Sequence, residues 1–281
     1  MSRIQNILDK AERDGSVRRL RNLAAEPLVA DGITTLQPAV PPPLPAVPDV
    51  HAAPAAAAPT AVGRGRVVES AGLDPRLVAA IAPSAQPAEQ YRALRTRILH
   101  ADAGSAVSVV AVTSPGRHEG KTLTACNLAL TMAQDFQRRI CLVDANLRSP
   151  QLHDMFGLDD GPGLSDVLLG RATLADALVC LEDYQISILP AGSVEAHPAE
   201  LLGSTAMRRT LETLRSTFDR IVIDTPAAMP LADVGIVTPL VDTVLLVVRA
   251  GVTSRPSIHD AVAAIDDGKL LGLVLNETMV A

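Results

Sequence analysis

The chain has 281 residues, a formal net charge of −6 and a hydrophobic fraction of 48%. Its negative charge argues against general nucleic-acid affinity, and an aromatic content of 2%, with no tryptophan, provides no platform for stacking single-stranded bases. Its three cysteines lack a C-x-x-C spacing, which indicates buried thiols in a reducing compartment. The sequence contains neither a signal-peptide pattern nor an apolar run of ~18 residues or more, so we expect a cytoplasmic protein.

The first predicted element is an amphipathic helical segment within residues 1–36. Ser2 and Gln5 form a capping-box pattern, and isoleucine and leucine residues follow at helical spacing. Residues 1–25 carry six basic and three acidic side chains, a local positive excess. The pattern is compatible with docking to a partner, with lying on an anionic membrane surface, or with a solvated helix packed on its own domain. We favour partner docking because the apolar stripe lacks tryptophan and phenylalanine anchors.

Residues 37–84 are predicted to be a linker with an irregular lead-in. The stretch 37–62 contains eight prolines and nine alanines, a composition that favours polyproline-II structure or disorder and cannot form a core. This segment therefore separates the N-terminal element from a predicted catalytic domain at 85–281 and acts as a tether.

The predicted domain alternates strands and helices, which favours an α/β fold with a doubly wound, mostly parallel sheet. Apolar strands are predicted at 107–112, 140–143, 186–189, 220–223, 243–248 and 271–275. Helices are predicted at 87–99, 123–133, 164–169, 174–181, 199–218, 234–240 and 257–265. Ligands of such sheets bind beyond the carboxyl ends of the strands.

A phosphate-binding loop is predicted at Ser114–Thr122, between the first strand and its helix. Gly120 allows the backbone to approach an anion, Lys121 supplies a charge for the β- and γ-phosphates, and Thr122 offers a hydroxyl to Mg²⁺. Pro115 replaces the leading glycine of the usual G-x-x-x-x-G-K-[ST] pattern. The alternative is an ordinary turn that happens to spell Gly-Lys-Thr, but the flanking strand and helix argue against it. The predicted nucleotide-binding residues of this segment are Gly116, Arg117, His118, Glu119, Gly120, Lys121, Thr122 and Leu123.

Two carboxylates are predicted to complete this site. Asp144 and Asp224 are each the first polar residue after an apolar strand, so both should lie at the carboxyl edge of the sheet, beside the phosphate loop. Mg²⁺ prefers oxygen ligands of this kind, bound directly or through water. Either aspartate alone would more often cap a helix or a turn, but both together with Lys121 and Thr122 favour a magnesium–nucleotide site.

These segments together resemble motifs of the bacterial tyrosine kinases, a family of the deviant P-loop ATPases that also include the ParA/MinD proteins. The resemblance covers roughly residues 85–276. The Walker A, A′ and B motifs of that family correspond to Ser114–Thr122, Leu142–Pro150 and Ile221–Pro226. Further matches are Glu89–Arg95, Gly163–Leu168, Leu189–Gly192, Pro198–Leu202 and Val247–Gly251.

The resemblance implies a role for each matching residue and an ATP- and Mg²⁺-dependent P-loop enzyme. Lys121 would polarise the phosphates, and Asp144 would accept the proton of a tyrosine hydroxyl and lie beside Mg²⁺. Thr122 and Asp224 would hold the metal, and Asn276 would touch the adenine. By the same analogy, the E-x-x-R-x-x-R helix would contact a neighbouring subunit through Glu89, Arg92 and Arg95, although Glu89 and Arg92 could equally form a local helix pair.

The family further implies a role in exopolysaccharide or capsule polymerisation or export. The implied partner is the cytoplasmic tail of a membrane polysaccharide copolymerase of the Wzz type, which would recruit the chain to the inner face of the plasma membrane. A homo-oligomer is implied as well, and no nucleic-acid partner is expected.

Two departures from the family pattern leave the function open. Asn146 replaces the second aspartate of the Walker A′ pair, and Tyr91 and Tyr184 are the only tyrosines of the sequence, so it contains no tyrosine-rich tail. We therefore consider three hypotheses: a tyrosine kinase, an ATP-switched regulator with little kinase output, and a ParA/MinD-like positioning ATPase. Gly116 argues against the third hypothesis, because those proteins usually carry a signature lysine there.

Overall fold

The computed structural model describes residues 65–67, 72–101, 108–135, 138–193, 197–229, 233–266 and 268–277. The predicted N-terminal helical segment and the proline-rich stretch 37–62 lie outside these residues. Within the described residues, no helix is long and apolar enough to cross a bilayer.

A single eight-stranded sheet organises the described residues, with the strand order β1-β4-β5-β3-β6-β2-β7-β8. Neighbouring strands run parallel, except that β4 pairs antiparallel with β5. The strands are β1 Arg66–Val67, β2 Val109–Thr113, β3 Ile140–Asp144, β4 Val179–Leu181, β5 Ile186–Leu189, β6 Arg220–Asp224, β7 Thr243–Arg249 and β8 Leu270–Asn276. The predicted α/β fold with a mostly parallel, doubly wound sheet is confirmed.

Helices cover both faces of the sheet and create two cores. The helices are α1 Val78–Ile81, α2 Gln86–Ala101, α3 Lys121–Ala133, α4 Leu152–Phe156, α5 Leu164–Leu168, α6 Leu174–Ala177, α7 Pro198–Leu202, α8 Thr205–Thr217, α9 Asp233–Val237 and α10 Arg255–Ala263. The first four helices pack on one face and the other six on the opposite face. Every residue of the central strands β2, β3 and β6 is buried. Burial on both faces explains why the interior positions of these strands are continuously apolar rather than alternating.

Two predicted helices are wrong in extent. The predicted helix 174–181 stops at Ala177, and residues 179–181 form β4, whose backbone groups pair with β1 and β5. The predicted helix 199–218 is interrupted at Gly203 and Ser204, because the Ser204 hydroxyl accepts the Met207 N–H and starts a new helix. Each correction depends on tertiary pairing or capping that hydrophobic periodicity alone does not reveal.

Residues before 85, where the predicted domain begins, also contribute to the core. Leu77 and Ala79 are buried, and both belong to the cluster that packs against α3. The buried Asn127 side chain on α3 accepts the Ala79 N–H at 3.0 Å and donates to the Arg76 carbonyl at 3.2 Å. The lead-in is therefore fastened to the helix that follows the phosphate loop.

An ion pair at the amino end of the sheet fixes β2 to β7. The Asp242 carboxylate accepts the N–H groups of Ser108 and Val109, both at 2.8 Å, and pairs with Arg215 at 2.7 Å. Burial alone would raise the pKa of Asp242, but the hydrogen bonds from Arg215 and the backbone outweigh it and lower the pKa from 3.8 to about 2.

We expect Asp242→Asn to lower the free energy of unfolding by ~1–3 kcal/mol at neutral pH, because the charged acceptor is lost. Because its pKa is lowered, the ionised Asp242 stabilises the folded state at pH values above 3.8, the pKa in the unfolded chain. This contribution is lost as the pH falls toward about 2. Urea titrations between these pH values should show that the difference in free energy of unfolding between the wild type and Asp242→Asn decreases as the pH falls. Asp135→Asn is the control, because Asp135 pairs with Arg138 and their side chains are 41% and 39% exposed, so it should change stability by less than ~1 kcal/mol.

Candidate nucleotide-binding site

The predicted phosphate loop leaves β2 at Thr113 and enters α3 at Lys121. Gly120 precedes the helix with φ +89°, a left-handed conformation that favours glycine. The start of the loop is held by Ser114, whose hydroxyl donates to the Gly116 carbonyl at 2.6 Å and whose carbonyl accepts the Ala228 N–H at 2.8 Å. The first N–H groups of α3 lack acceptors within the helix, so the loop presents donors and a positive helix end to an anion.

Lys121, Thr122 and Asp224 form a connected polar group at the carboxyl edge of the sheet. The Lys121 ammonium donates to the Thr122 hydroxyl at 2.9 Å, and this hydroxyl donates to Asp224 Oδ2 at 2.7 Å. Lys121 Nζ lies 3.7 Å from Asp224 Oδ1. The carboxyl group of Asp224 is completely buried, so this pair is little screened by solvent.

Asp144 lies beside Asp224, because the two residues are register partners at the ends of the adjacent strands β3 and β6. A turn after β3 holds its carboxylate: Oδ1 accepts the Asn146 N–H at 3.0 Å, and Oδ2 accepts those of Gln151 at 3.1 Å and Leu152 at 3.2 Å. The structure therefore brings both predicted carboxylates to the edge of the sheet that carries the phosphate loop.

Asn146, the departure from the Walker A′ pattern, stabilises this turn. Its side-chain amide donates to the Ser149 carbonyl at 2.6 Å. A carboxylate at this position would have no proton to donate at neutral pH, so asparagine suits the local geometry.

Two buried acids on neighbouring strands oppose each other's ionisation. Burial is the main cause that raises the pKa of Asp144, followed by the charge of Asp224, and together they bring it to about 7 despite three backbone hydrogen bonds. Burial also raises the pKa of Asp224, although Lys121 and Thr122 favour its ionised form. A cation bound at this site would favour the ionised forms and so lower the pKa of both aspartates.

The residues of this site fit Mg²⁺ bound with a nucleotide. Asp224 Oδ1 is buried and accepts no hydrogen bond from any described residue. Described side chains form no group of three histidine, cysteine or acidic residues that could enclose a metal by themselves. Mg²⁺ in nucleotide sites typically uses one or two carboxylates and completes its shell with phosphate and water, which matches Asp224 and Asp144. The Thr122 hydroxyl beside Asp224 offers a further oxygen.

On the other side of the loop, Asn276 at the end of β8 approaches the backbone closely. Its side-chain amide donates to the Glu119 carbonyl at 3.0 Å. A Cβ atom on Gly120 would lie 2.0 Å from the Asn276 amide nitrogen, so the glycine is required for this approach as well. Asn276 thus lies against the phosphate loop, and its contact with an adenine stays a prediction.

The other predicted site residues fall into two groups. Arg117 and His118 are exposed at the tip of the loop, Gly116 and Leu123 are partly buried, and Glu119 is buried. Glu89, Arg92 and Arg95 lie on α2, away from the carboxylates, and contact their own chain: Glu89 pairs with Arg92, and Arg95 donates to the Thr131 carbonyl at 2.8 Å. Their predicted contact with a neighbouring subunit stays a prediction.

Sequence reasoning missed one residue of this region, Thr253, four positions after the end of β7. Its hydroxyl donates to Glu119 Oε1 at 2.7 Å. No motif assigns a role to a lone threonine in a loop; the only signal was its proximity to the motif at Val247–Gly251.

A strand, a phosphate loop and a helix, with two strand-end aspartates beside them on a parallel sheet, define a P-loop NTPase. No protein-family model matches the chain. Tyrosine-protein kinase YwqD of Bacillus subtilis is 33% identical over 202 residues, which cover 71% of this chain and 85% of YwqD. The chain therefore belongs to the bacterial tyrosine kinases, as its motifs predicted.

A solved structure and a longer relative agree with this assignment. The kinase domain of Escherichia coli tyrosine kinase ETK superposes with a TM-score of 0.69 at 26% identity, covering 73% of this chain and 81% of that domain. Succinoglycan biosynthesis transport protein ExoP of Rhizobium meliloti is 34% identical over 202 residues, 70% of this chain. The chain spans only 26% of the length of ExoP, in contrast to YwqD.

Proposed function

We propose that the chain is an ATP- and Mg²⁺-dependent protein-tyrosine kinase that regulates exopolysaccharide or capsule polymerisation or export. The observation that carries this proposal is the buried Asp224 Oδ1, which accepts no hydrogen bond from the described residues and lies 3.7 Å from Lys121 Nζ, beside Asp144. Family membership supports a kinase, and the name of ExoP supports a link with polysaccharide export.

The chain's own residues would act mainly by positioning and charge stabilisation. The phosphate loop and Lys121 would bind the triphosphate, and Thr122, Asp224 and Asp144 would hold Mg²⁺, which would supply positive charge to neutralise the phosphates. Asp144 would accept the proton of the attacking hydroxyl, because its carboxylate lies beside Asp224 at the edge of the sheet where the phosphates are expected. The buried floor of the site limits competing attack by water.

The two tyrosines of the sequence are poor candidates for phosphorylation by their own site. The Tyr91 side chain lies near Thr124 and Asn127 of α3, and burial raises its pKa. Tyr184 precedes β5, whose first residue pairs with the first residue of β3, so it lies at the edge of the sheet opposite Asp144. The preferred acceptor is therefore a tyrosine of another protein.

The membrane copolymerase tail remains the proposed partner, and recruitment by that tail is the proposed route from the cytoplasm to the membrane surface. The proposed homo-oligomer would use α2, where Glu89 has 62% of its side chain exposed while already paired with Arg92. A second candidate function is an ATP-switched regulator with little kinase output. It is favoured by Asn146, whose amide is engaged in the turn and provides neither charge nor base.

Phosphotyrosine mass spectrometry on the purified full chain tests the kinase proposal. We expect transfer from Mg·ATP to a glutamate–tyrosine copolymer, and we expect the Tyr91→Phe/Tyr184→Phe double variant to retain it. Lys121→Met is the negative control. Nucleotide binding without phosphotyrosine on any acceptor, copolymerase tail included, would reject the kinase in favour of the switch.

A further inference from the structure

We propose that Thr253 is a positioning residue for nucleotide binding, because it holds the buried carboxylate of Glu119 and thereby the shape of the phosphate loop. This inference rests on the proposed nucleotide-binding function and extends it to a residue outside the phosphate loop. Thr253 lies in the turn between β7 and α10, and it contacts neither metal nor phosphate in the proposed mechanism.

The hydroxyl of Thr253 has a defined orientation. It accepts the Arg249 N–H at 3.0 Å, and its own proton is donated to Glu119 Oε1 at 2.7 Å. The Thr253 N–H in turn donates to the Arg249 carbonyl at 3.0 Å, which closes a tight turn at the end of β7. These bonds to the end of β7 fix the position of Thr253 independently of its contact with the phosphate loop.

Glu119 is held at two points by the ends of two neighbouring strands. Its carboxylate is held by Thr253 after β7, and its carbonyl accepts the side-chain amide of Asn276 at the end of β8. The two strand ends are joined to each other, because the Ala250 N–H donates to the Asn276 carbonyl at 2.9 Å. Glu119 immediately precedes Gly120 and Lys121, so this support fixes the segment that must bind the phosphates.

The burial of Glu119 makes the threonine bond important. The residue is only 7% exposed, and its second oxygen, Oε2, is buried without a hydrogen-bond partner among the described residues. Thr253 is the one donor that the described residues offer this carboxylate. Without it, a buried carboxylate has no partner at all, and the loop must rearrange to expose it to water. A rearranged loop no longer aligns its N–H groups with the phosphates.

The experiment measures the affinity of the full chain for a fluorescent ATP analogue in the presence of Mg²⁺, by titration and by calorimetry. We expect Thr253→Val to weaken binding at least about tenfold, equivalent to ~1.4 kcal/mol. Thr253→Ser keeps the hydroxyl and should bind within about threefold of the wild type. Thr213→Val, on α8, is the matched control: the Thr213 hydroxyl donates to the Arg209 carbonyl of its own helix, so its loss should not change affinity.

A double-variant cycle separates positioning from general destabilisation. In a Glu119→Ala background, Thr253→Val should weaken binding no further, because the carboxylate that it serves is gone. Unfolding midpoints are measured for every variant. Three results would each overturn the inference. In the first, Thr253→Val binds as tightly as the wild type; in the second, Thr253→Ser does not restore binding. In the third, Thr253→Val weakens binding by its full amount in the Glu119→Ala background as well. A wild-type chain that binds no nucleotide would instead refute the proposed function and, with it, this inference.

Discussion

Replacing Lys121 by methionine should remove nucleotide binding while the fold persists. Lys121 is the one cation that the described structure places within 4.0 Å of the buried Asp224, and it lies at the N-terminus of α3, where the phosphates are expected. Removing the ammonium that would pair with the phosphates leaves their charge unpaired in the complex, a loss that typically costs ~2–5 kcal/mol of binding free energy, so Mg·ATP affinity should fall roughly 30-fold or more. Titration of both proteins with an ATP analogue gives the comparison.

The fold should survive because methionine fills a similar volume and the helix interior is untouched. Without Lys121 the two acids lose a nearby cation, but protonation can relieve their repulsion. Lys269→Met is a matched control: Lys269 donates to the carbonyls of Thr238 and Val241 near the amino end of β8, so its loss should reduce stability without reducing affinity. If Lys121→Met binds the analogue as tightly as the wild type, the site assigned to the phosphates is mistaken.

The sheet could be predicted from sequence because its central strands carry a strong signal. Ile140–Val143 and Ile221–Ile223 are apolar runs, each followed by the aspartate that the structure places at the carboxyl edge. The Gly-Lys-Thr loop follows β2 in the same way. Because parallel strands end at a common edge, locating the strand ends was sufficient to bring Lys121, Asp144 and Asp224 together.

Contacts between segments distant in sequence could not be predicted. β4 is a three-residue strand whose pairing depends on β1 and β5, so its local pattern did not distinguish it from the end of a helix. The bond from Thr253 to Glu119 joins residues 134 positions apart, and nothing near Thr253 in the sequence identifies its partner. Likewise, the hydrogen-bond partners of Asn146 and Asp144 depend on a turn whose conformation residue types alone do not specify.

Asp224→Asn should have opposite effects on stability and on activity. Asparagine keeps an oxygen to accept the Thr122 proton, and the position of the other oxygen receives no hydrogen bond from any described residue, so no backbone donor is left unpaired. Removing the charge also ends the repulsion that helps to raise the pKa of Asp144. In metal-free buffer at neutral pH, we expect the free energy of unfolding to rise by ~1–3 kcal/mol, because burial disfavours the charge of Asp224 more than Lys121 and Thr122 favour it. Lys121 keeps its hydrogen bond to the Thr122 hydroxyl.

The pH dependence gives a sharper test of this interpretation. The pKa of Asp144 is raised from 3.8 to about 7, so its protonated form stabilises the folded state below 3.8, and this contribution is lost as the pH rises toward about 7. The wild type should therefore lose stability across that range, whereas Asp224→Asn should show a flatter profile. Urea titrations at several pH values, with chelator present, measure both.

Asp224→Asn should also lower the rate of phosphoryl transfer by roughly 100-fold or more, because a proposed metal ligand loses its charge. Asp242→Asn provides the contrasting control: its carboxylate has a lowered pKa, so the identical change should destabilise the protein and leave nucleotide affinity intact. A neutral or destabilising Asp224→Asn in metal-free buffer would show that Lys121 and Thr122 already compensate the buried charge. A stabilised variant that still transferred phosphate at the wild-type rate would remove Asp224 from the metal site. The expected combination, a gain in stability with a loss of chemistry, identifies a carboxylate that is retained for function at the expense of the fold.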